Sequence, residues 1–194
     1  MNHFIDKIPE MVVDYVKSIT DHKKLNIKVV KPRKTKHGDF RERNGNYTIT
    51  INDTNNKYRF LMILIHEIAH FNVLKKKIKE KPHGHNWKYE FKKLAKPILN
   101  NKVFPVDLLV LLKNYMLNPK SSFSYDSDLV KELNKYDYNS DFTYLDEIKD
   151  GLRFKYENNK TYQKIKKRRK RYLCVGMDDR RKYLFLPHAK VQVL

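Results

Sequence analysis

The sequence has little cysteine, no long apolar run and few acidic residues. A single cysteine, Cys174, in 194 residues excludes an internal disulfide framework and any cysteine-based zinc finger or ribbon. The longest apolar run, residues 60–65, is far too short to span a bilayer. The first 19 residues lack a basic segment followed by an apolar one, so no secretory leader is predicted. We therefore expect a cytoplasmic protein in a reducing compartment, with no membrane span.

The shortage of acidic residues leaves a strongly basic chain. Asp and Glu number 22 against 42 Lys and Arg, which gives a formal net charge of +20. This excess predicts a polyanionic partner, because Lys and Arg neutralise phosphates regardless of base sequence. DNA or another nucleic acid is the first expectation, and an anionic membrane surface is the weaker alternative. Hydrophobic residues make up 40% of the chain, enough for a packed interior.

Hydrophobic periodicity predicts an α+β protein in three parts. Residues 1–117 form the main domain, residues 118–150 a helical and polar connector, and residues 151–194 a small basic β module. Helices are predicted at residues 9–20, 57–75, 87–95, 106–116 and 128–136, and strands at residues 25–30, 47–51, 152–156, 171–175 and 182–186. The stretch from Lys57 to Lys75 has no glycine or proline and is apolar nearly all round, which is typical of a buried central helix.

The densest basic run covers residues 160–171. It predicts a nucleic-acid-binding patch that comprises Lys164, Lys166, Lys167, Arg168, Arg169, Lys170 and Arg171. Tyr162 and Tyr172 are candidates to stack on the bases of single-stranded or damaged DNA. The alternative is a solvated hairpin or linker whose charge only aids solubility. A second basic stretch, residues 31–43, is predicted as a loop between two strands.

The chemistry-bearing motif is His66-Glu67-Ile68-Ala69-His70, inside the predicted central helix. Residues four apart lie on one helix face, so both imidazoles can reach one metal ion, and neutral imidazole is a good zinc ligand. Glu67 lies beside the ligands, where it can take a proton from a water activated by zinc. Burying these polar groups in an apolar helix is costly unless they are satisfied, which favours a Zn²⁺ site.

A catalytic zinc needs a third protein ligand, and the sequence offers several. The metzincin pattern requires glycine at 73 and histidine at 76, but Val73 and Lys76 stand there, so that class is excluded. A thermolysin-like peptidase would use a glutamate on the next helix, for which Glu90 is the candidate. A turn before that helix contains His83 and His85 as further candidates.

The paired motif, His-Glu-Ile-Ala-His followed by Pro82-His-Gly-His-Asn-Trp87, resembles that of the SprT-like (Spartan-type) metallopeptidases. The resemblance covers about residues 1–117. It implies that His66, His70 and His83 bind the metal, that Glu67 is the catalytic base, and that Trp87 packs at the site. It also implies a zincin-like domain with a small twisted sheet beside the active-site helix, followed here by the small β module. Related proteins cleave proteins that are crosslinked to DNA.

The chain departs from many bacterial relatives, which carry a cysteine zinc ribbon after the protease domain. Cys174 alone cannot form one. A metal-free β module is expected in its place. Residues 47–51 are the candidate sheet edge along which a protein substrate would lie. The alternative functions are a non-proteolytic nucleic-acid-binding protein with a structural zinc, and a thermolysin-like peptidase that uses Glu90.

Overall fold

The computed structural model describes residues 4–137 and 142–194 and has an α+β architecture. The chain divides into two compact units, the first comprising residues 1–122 and 132–138, the second residues 123–131 and 139–194. The expected connector, residues 118–150, is therefore shared between the two units. Part of it, residues 138–141, lies outside the described residues. None of the described helices combines the length and apolar character that crossing a bilayer requires.

The first unit is built around one buried helix, α2 (Lys57–Lys75), with the bounds that its sequence predicts. Asn56 caps its first turn, because its side-chain oxygen accepts a 2.9 Å hydrogen bond from the Arg59 amide. Ten of its 19 residues are buried. The other helices of this unit are α1 (Val13–Thr20), α3 (His85–Ala95) and α4 (Val106–Leu117). Helix α5 (Ser127–Asn134) follows, and the boundary between the two units falls within it.

A three-stranded sheet packs against α2, and its order corrects two predictions. The strands are β1 (Leu25–Val30), β2 (Gly38–Arg43) and β3 (Asn46–Asn52), arranged β1-β3-β2. The basic stretch predicted as a loop contains β2, which pairs with β3 through a hairpin. The predicted edge strand, residues 47–51, lies instead in the centre, because β1 pairs with it in parallel on one side and β2 antiparallel on the other.

The two faces of this sheet differ in chemistry because side chains alternate along each strand. Ile49 and Ile51 of β3 are fully buried towards the core. On the same face, Phe40 and Tyr47 contact Phe71 of α2, with ring centroids 6.1 and 5.0 Å apart. The opposite face carries polar and charged side chains.

The second unit contains a six-stranded sheet in the order β4-β9-β5-β6-β7-β8. Its strands are β4 (Thr143–Tyr144), β5 (Arg153–Lys155), β6 (Thr161–Arg168), β7 (Arg171–Gly176), β8 (Lys182–Phe185) and β9 (Lys190–Val193). The predicted strands at 152–156, 171–175 and 182–186 correspond to β5, β7 and β8. Strand β6, the densely basic run, was not among the predicted strands.

The core of this unit corrects the predicted role of two tyrosines. The buried cluster comprises Leu145, Ile148, Phe154, Tyr162, Tyr172, Cys174, Ala189 and Val191. Tyr162 is 3% exposed and Tyr172 is 8% exposed, so neither ring is available for stacking on a base. Cys174 is a free, buried thiol.

Candidate metal centre

Helix α2 and the turn before α3 bring three histidines together. His66 and His70 lie one helical turn apart on α2, and His83 comes from the turn. The Nε2 atom of His83 is 3.1 Å from Nε2 of His66 and 3.1 Å from Nε2 of His70. The three side chains form the one group of possible metal ligands among the described residues.

The spacing of these nitrogens fits a zinc ion. Zinc–nitrogen bonds of about 2.0 Å in a tetrahedron separate the ligand nitrogens by about 3.3 Å. Three imidazoles leave the fourth position for water or substrate, which is the arrangement of catalytic rather than closed structural sites. The residues present therefore fit the metal that the motif predicts.

The backbone around His83 is shaped to present its ring. His83 has a φ of +62°, a left-handed conformation that is uncommon for a residue with a side chain. Next to it, a Cβ on Gly84 would lie 2.6 Å from a carboxylate oxygen of Glu80 and 3.0 Å from the Lys81 carbonyl oxygen. Glycine is therefore the residue that this close approach permits.

Glu80 caps the start of α3, directly after the third histidine. Its carboxylate accepts hydrogen bonds from the backbone amides of Trp87, at 2.8 Å, and Asn86, at 3.2 Å. Burial opposes ionisation of Glu80, but these bonds outweigh it and lower its pKa. The cap thus fixes the turn that carries His83 relative to α3.

Trp87 packs against all three histidines. Its ring centroid is 4.6 Å from those of His66 and His83 and 5.4 Å from that of His70. Its indole N–H donates a 3.3 Å hydrogen bond to the His66 carbonyl oxygen. Trp87 is 1% exposed, so it ties α3 to α2 and closes one side of the cluster.

Burial keeps the histidines in the form that binds metal. It lowers the pKa of His66 to about 2, with the neighbouring His70 and His83 adding to the shift. The pKa of His70 falls to about 4 for the same reasons, burial and His83, and burial also lowers the pKa of His83. All three imidazoles are therefore neutral at physiological pH, as metal ligation requires.

Glu67 is buried beside the motif histidines, with 6% of its surface exposed. Burial, reinforced by the Asp39 carboxylate and opposed by Arg33 and Lys36, raises its pKa to about 8. A divalent cation at the histidines would favour the charged carboxylate. Gly38, at the start of β2, lies against it: a Cβ there would clash with Glu67 Oε1 and lie 2.7 Å from Ile63 Cγ2.

The other two candidate ligands lie apart from the cluster. Glu90 is buried, but it accepts a 3.1 Å hydrogen bond from the Asn72 side chain and pairs with the Lys76 amine. His85 is exposed at the first position of α3. Among the described residues, His83, and neither Glu90 nor His85, could share one ion with His66 and His70, so the thermolysin-like arrangement is not supported.

Comparison with known proteins agrees with this geometry. A sequence model of the SprT-like family matches residues 7–106. The chain belongs to the SprT-like family. The matched segment contains His66, Glu67, His70 and His83, and family membership is consistent with a metallopeptidase. No significant match was found among curated proteins or among solved structures.

The predicted nucleic-acid patch of this SprT-like chain is divided by the structure. Lys166, Lys167, Arg168, Arg169, Lys170 and Arg171 are exposed on β6, β7 and the turn between them. Lys164 is 3% exposed, and its amine donates a 2.5 Å hydrogen bond to the Ile148 carbonyl oxygen and lies over the Tyr172 ring. A bulge between Lys164 and Lys166 separates the two environments. Lys164 is therefore a structural residue, and the patch is reduced to the other six.

Two residues of the site were not predicted from the sequence, namely Gly38 and Glu80. Each had a weak signal. Gly38 is one of only five glycines in the chain, which makes its place in a basic stretch conspicuous. Glu80 is the sole acidic residue of the basic linker between the two parts of the motif, residues 71–81.

Proposed function

We propose that this chain is a zinc-dependent endopeptidase of the SprT-like type that acts on proteins associated with or crosslinked to DNA. The first unit would be its zincin-like catalytic domain, with α2 as the active-site helix. The observation that carries the proposal is the convergence of three neutral histidine nitrogens, 3.1 Å from one to the next, with a buried glutamate between the two helical ligands. A purely structural site has no need of a base at Glu67.

Each residue has a distinct part in peptide hydrolysis. His66, His70 and His83 would hold the zinc ion, which would supply polarisation of the scissile carbonyl and a water acidic enough to attack near neutral pH. Glu67 accepts the proton of the attacking water and passes it to the leaving amide nitrogen. Because Glu67 is buried, bulk solvent does not compete with it for this proton. Trp87 packs on the three histidines, and the absence of a side chain at Gly38 leaves room for the base.

The substrate would bind along the edge of the three-stranded sheet nearest to Glu67. Within the described part of the chain, β2 pairs only with β3, which leaves its other edge available. An extended peptide can add to such an edge through backbone hydrogen bonds. Gly38 is the first residue of β2 and lies beside Glu67, so a peptide on this edge would pass the catalytic base.

The role of DNA rests on charge. The six exposed cations of the β6–β7 hairpin, residues 166–171, form a compact basic surface in a chain with a net charge of +20. Phosphate neutralisation by such a surface gives affinity that is independent of base sequence. Binding of this kind would bring the peptidase to proteins that are held on DNA, with single-stranded or damaged DNA as the preferred form.

The test is proteolysis of a DNA-binding protein by zinc-loaded wild type and by Glu67→Gln, each with and without single-stranded DNA. We expect wild type to cleave, DNA to accelerate cleavage, and Glu67→Gln to bind zinc normally but cleave about 10³-fold more slowly. If both proteins bind zinc and DNA and neither cleaves, the peptidase proposal is wrong and a zinc-stabilised nucleic-acid-binding protein remains.

A further inference from the structure

The outer face of the three-stranded sheet contains a groove that the peptidase mechanism does not use. Its volume is about 530 Å³. The floor is formed by uncharged polar side chains of β3, including Thr48 and Thr50. Cations line it from both sides: Lys28 from β1, Arg41 and Arg43 from β2, and Arg33 from the segment before β2. Asp39 is the one acidic residue in the lining.

The strand register explains this arrangement. Thr50 of β3 lies between Lys28 of β1 and Asp39 of β2, and Thr48 pairs with Arg41. Because side chains alternate between faces, these outward positions belong to one surface, opposite the face that packs on α2. The two edge strands thus contribute the charge, and the central strand contributes hydrogen-bonding groups.

Part of the positive charge is already balanced within the groove, and part is not. Lys36 and Arg41 both form ion pairs with Asp39, at 2.8 and 2.5 Å. Arg33 is held in place by hydrogen bonds to β3, including one of 3.0 Å to the Thr50 hydroxyl. Among the described residues, Lys28 and Arg43 are exposed and have no ion-pair partner. An anionic ligand would find these two cations available.

We propose that this groove binds the sugar–phosphate backbone of a single nucleic-acid strand. Strands lie about 4.8 Å apart, so the two edges of the sheet are about 10 Å apart. That width suits one sugar–phosphate strand. A duplex has two such strands, about 12 Å apart across the major groove, so its second backbone would lie outside the groove. The residues that line the groove are polar or charged and include no aromatic side chain. The contacts are therefore to phosphate, without stacking on bases.

The lining also argues against two other anionic partners. Binding to a membrane surface is strengthened by apolar side chains that insert among the lipids, and the described residues that line the groove include none. An acidic peptide would add its own backbone to a sheet edge, whereas this groove lies on the face of the sheet.

The position of the groove has a consequence for the enzyme. Glu67 lies on the α2 side of the sheet and the groove on the opposite side, although the charges of Asp39 and Arg33 in the lining also act on Glu67. A strand bound there would hold the first unit on nucleic acid and leave the metal centre open to a protein substrate. This inference rests on the nucleic-acid-directed function proposed above, and it assigns that function a second binding surface besides the β6–β7 hairpin.

The experiment compares the full chain carrying Lys28→Gln and Arg43→Gln with a matched control carrying Lys102→Gln and Lys113→Gln, two exposed lysines that do not line the groove. Affinity for a labelled oligothymidylate is measured by fluorescence anisotropy over a series of salt concentrations. Loss of two phosphate contacts should reduce the slope of log affinity against log salt by about 1.4. The control has the same net charge and should keep a slope closer to that of wild type.

Three results would overturn the proposal. The first is the same slope and affinity for the groove variant and the control. The second is a loss of duplex binding that equals or exceeds the loss of single-strand binding. The third is a loss of binding to phosphatidylserine vesicles or polyglutamate with oligothymidylate binding unchanged.

Cleavage of a substrate without DNA is measured in parallel, because it separates this inference from the peptidase proposal. The groove variant should cleave such a substrate at the wild-type rate. If wild type cleaves nothing while the salt slope changes as predicted, the groove assignment stands and the peptidase proposal falls. If wild type cleaves and the slope does not change, the reverse holds.

Discussion

Helix α2 and strand β6 each carry a dense set of functional residue types, but the fold treats them differently. On α2, the two motif histidines are half-buried and meet His83 in one cluster, and Glu67 beside them is buried. On β6, one cation, Lys164, is buried as a structural residue, while those after the bulge are exposed. The fixed spacing of a motif on a helix thus determines which side chains meet, whereas a run of like charges does not determine which of its residues are exposed.

The same contrast separates what could be predicted from the sequence from what could not. The bounds of α2 were predicted correctly because 19 residues without glycine or proline, apolar nearly all round, leave no alternative to a buried helix. The ligands at 66 and 70 follow from helical spacing. His83 required the resemblance to SprT-like proteins, since spacing alone left Glu90 and His85 open.

Strand β2 was missed because its composition conceals it. Only Phe40 among its six residues is a large apolar residue, so hydrophobic alternation is nearly absent. The signal that was available is Asn44-Gly45, where φ is +52° and +72°, as the tight turn of a two-residue hairpin requires. The central place of β3 follows from the parallel pairing with β1, a long-range contact that local patterns do not encode.

The largest effect on the α2 side is expected from Gly38→Ala. The added methyl group would clash with the Glu67 carboxylate and with Ile63, so the base must move. We expect kcat/KM for peptide cleavage to fall about 100-fold while zinc stays bound, because misplacing a catalytic group by about 1 Å has an effect of this size. Kinetics and zinc analysis of the purified variant measure both.

The matched control is Gly45→Ala on the same sheet. It strains the hairpin turn, where φ is +72°, but it is remote from Glu67 in the strand register. It should lower the melting temperature and leave kcat/KM near the wild-type value. An equal loss of activity in both variants would mean that Gly38 matters only for stability.

The contrast within β6 is tested by two single variants, Lys164→Met for the buried lysine and Lys166→Met for an exposed one. Lys164→Met leaves the Ile148 carbonyl oxygen without its donor, so we expect a loss of about 2 kcal/mol in the free energy of unfolding. The affinity for an oligonucleotide should fall by no more than the loss of one positive charge explains. Lys166→Met should do the opposite, weakening binding with little effect on stability. Urea unfolding and anisotropy measure the two quantities. Comparable binding losses in the two variants would return Lys164 to the patch.

The smallest effect concerns the cap that holds the third histidine. Glu80→Ala removes the acceptor for the Asn86 and Trp87 amides, which should destabilise the first unit by about 1 kcal/mol and weaken zinc binding. Glu10→Ala, at an exposed acidic residue of the same unit, is the control and should change neither quantity. Thermal unfolding with and without zinc gives both values. Unchanged zinc affinity in Glu80→Ala would show that the cap does not position His83.

The central claim is that His66, His70 and His83 bind a metal ion together. The most direct measurement is the zinc content of wild type, His83→Ala, His85→Ala and Glu90→Gln after dialysis against metal-free buffer. We expect a single zinc per chain in wild type, His85→Ala and Glu90→Gln, and a clear loss only in His83→Ala. Full zinc content in His83→Ala, together with a loss in Glu90→Gln or His85→Ala, would contradict the account.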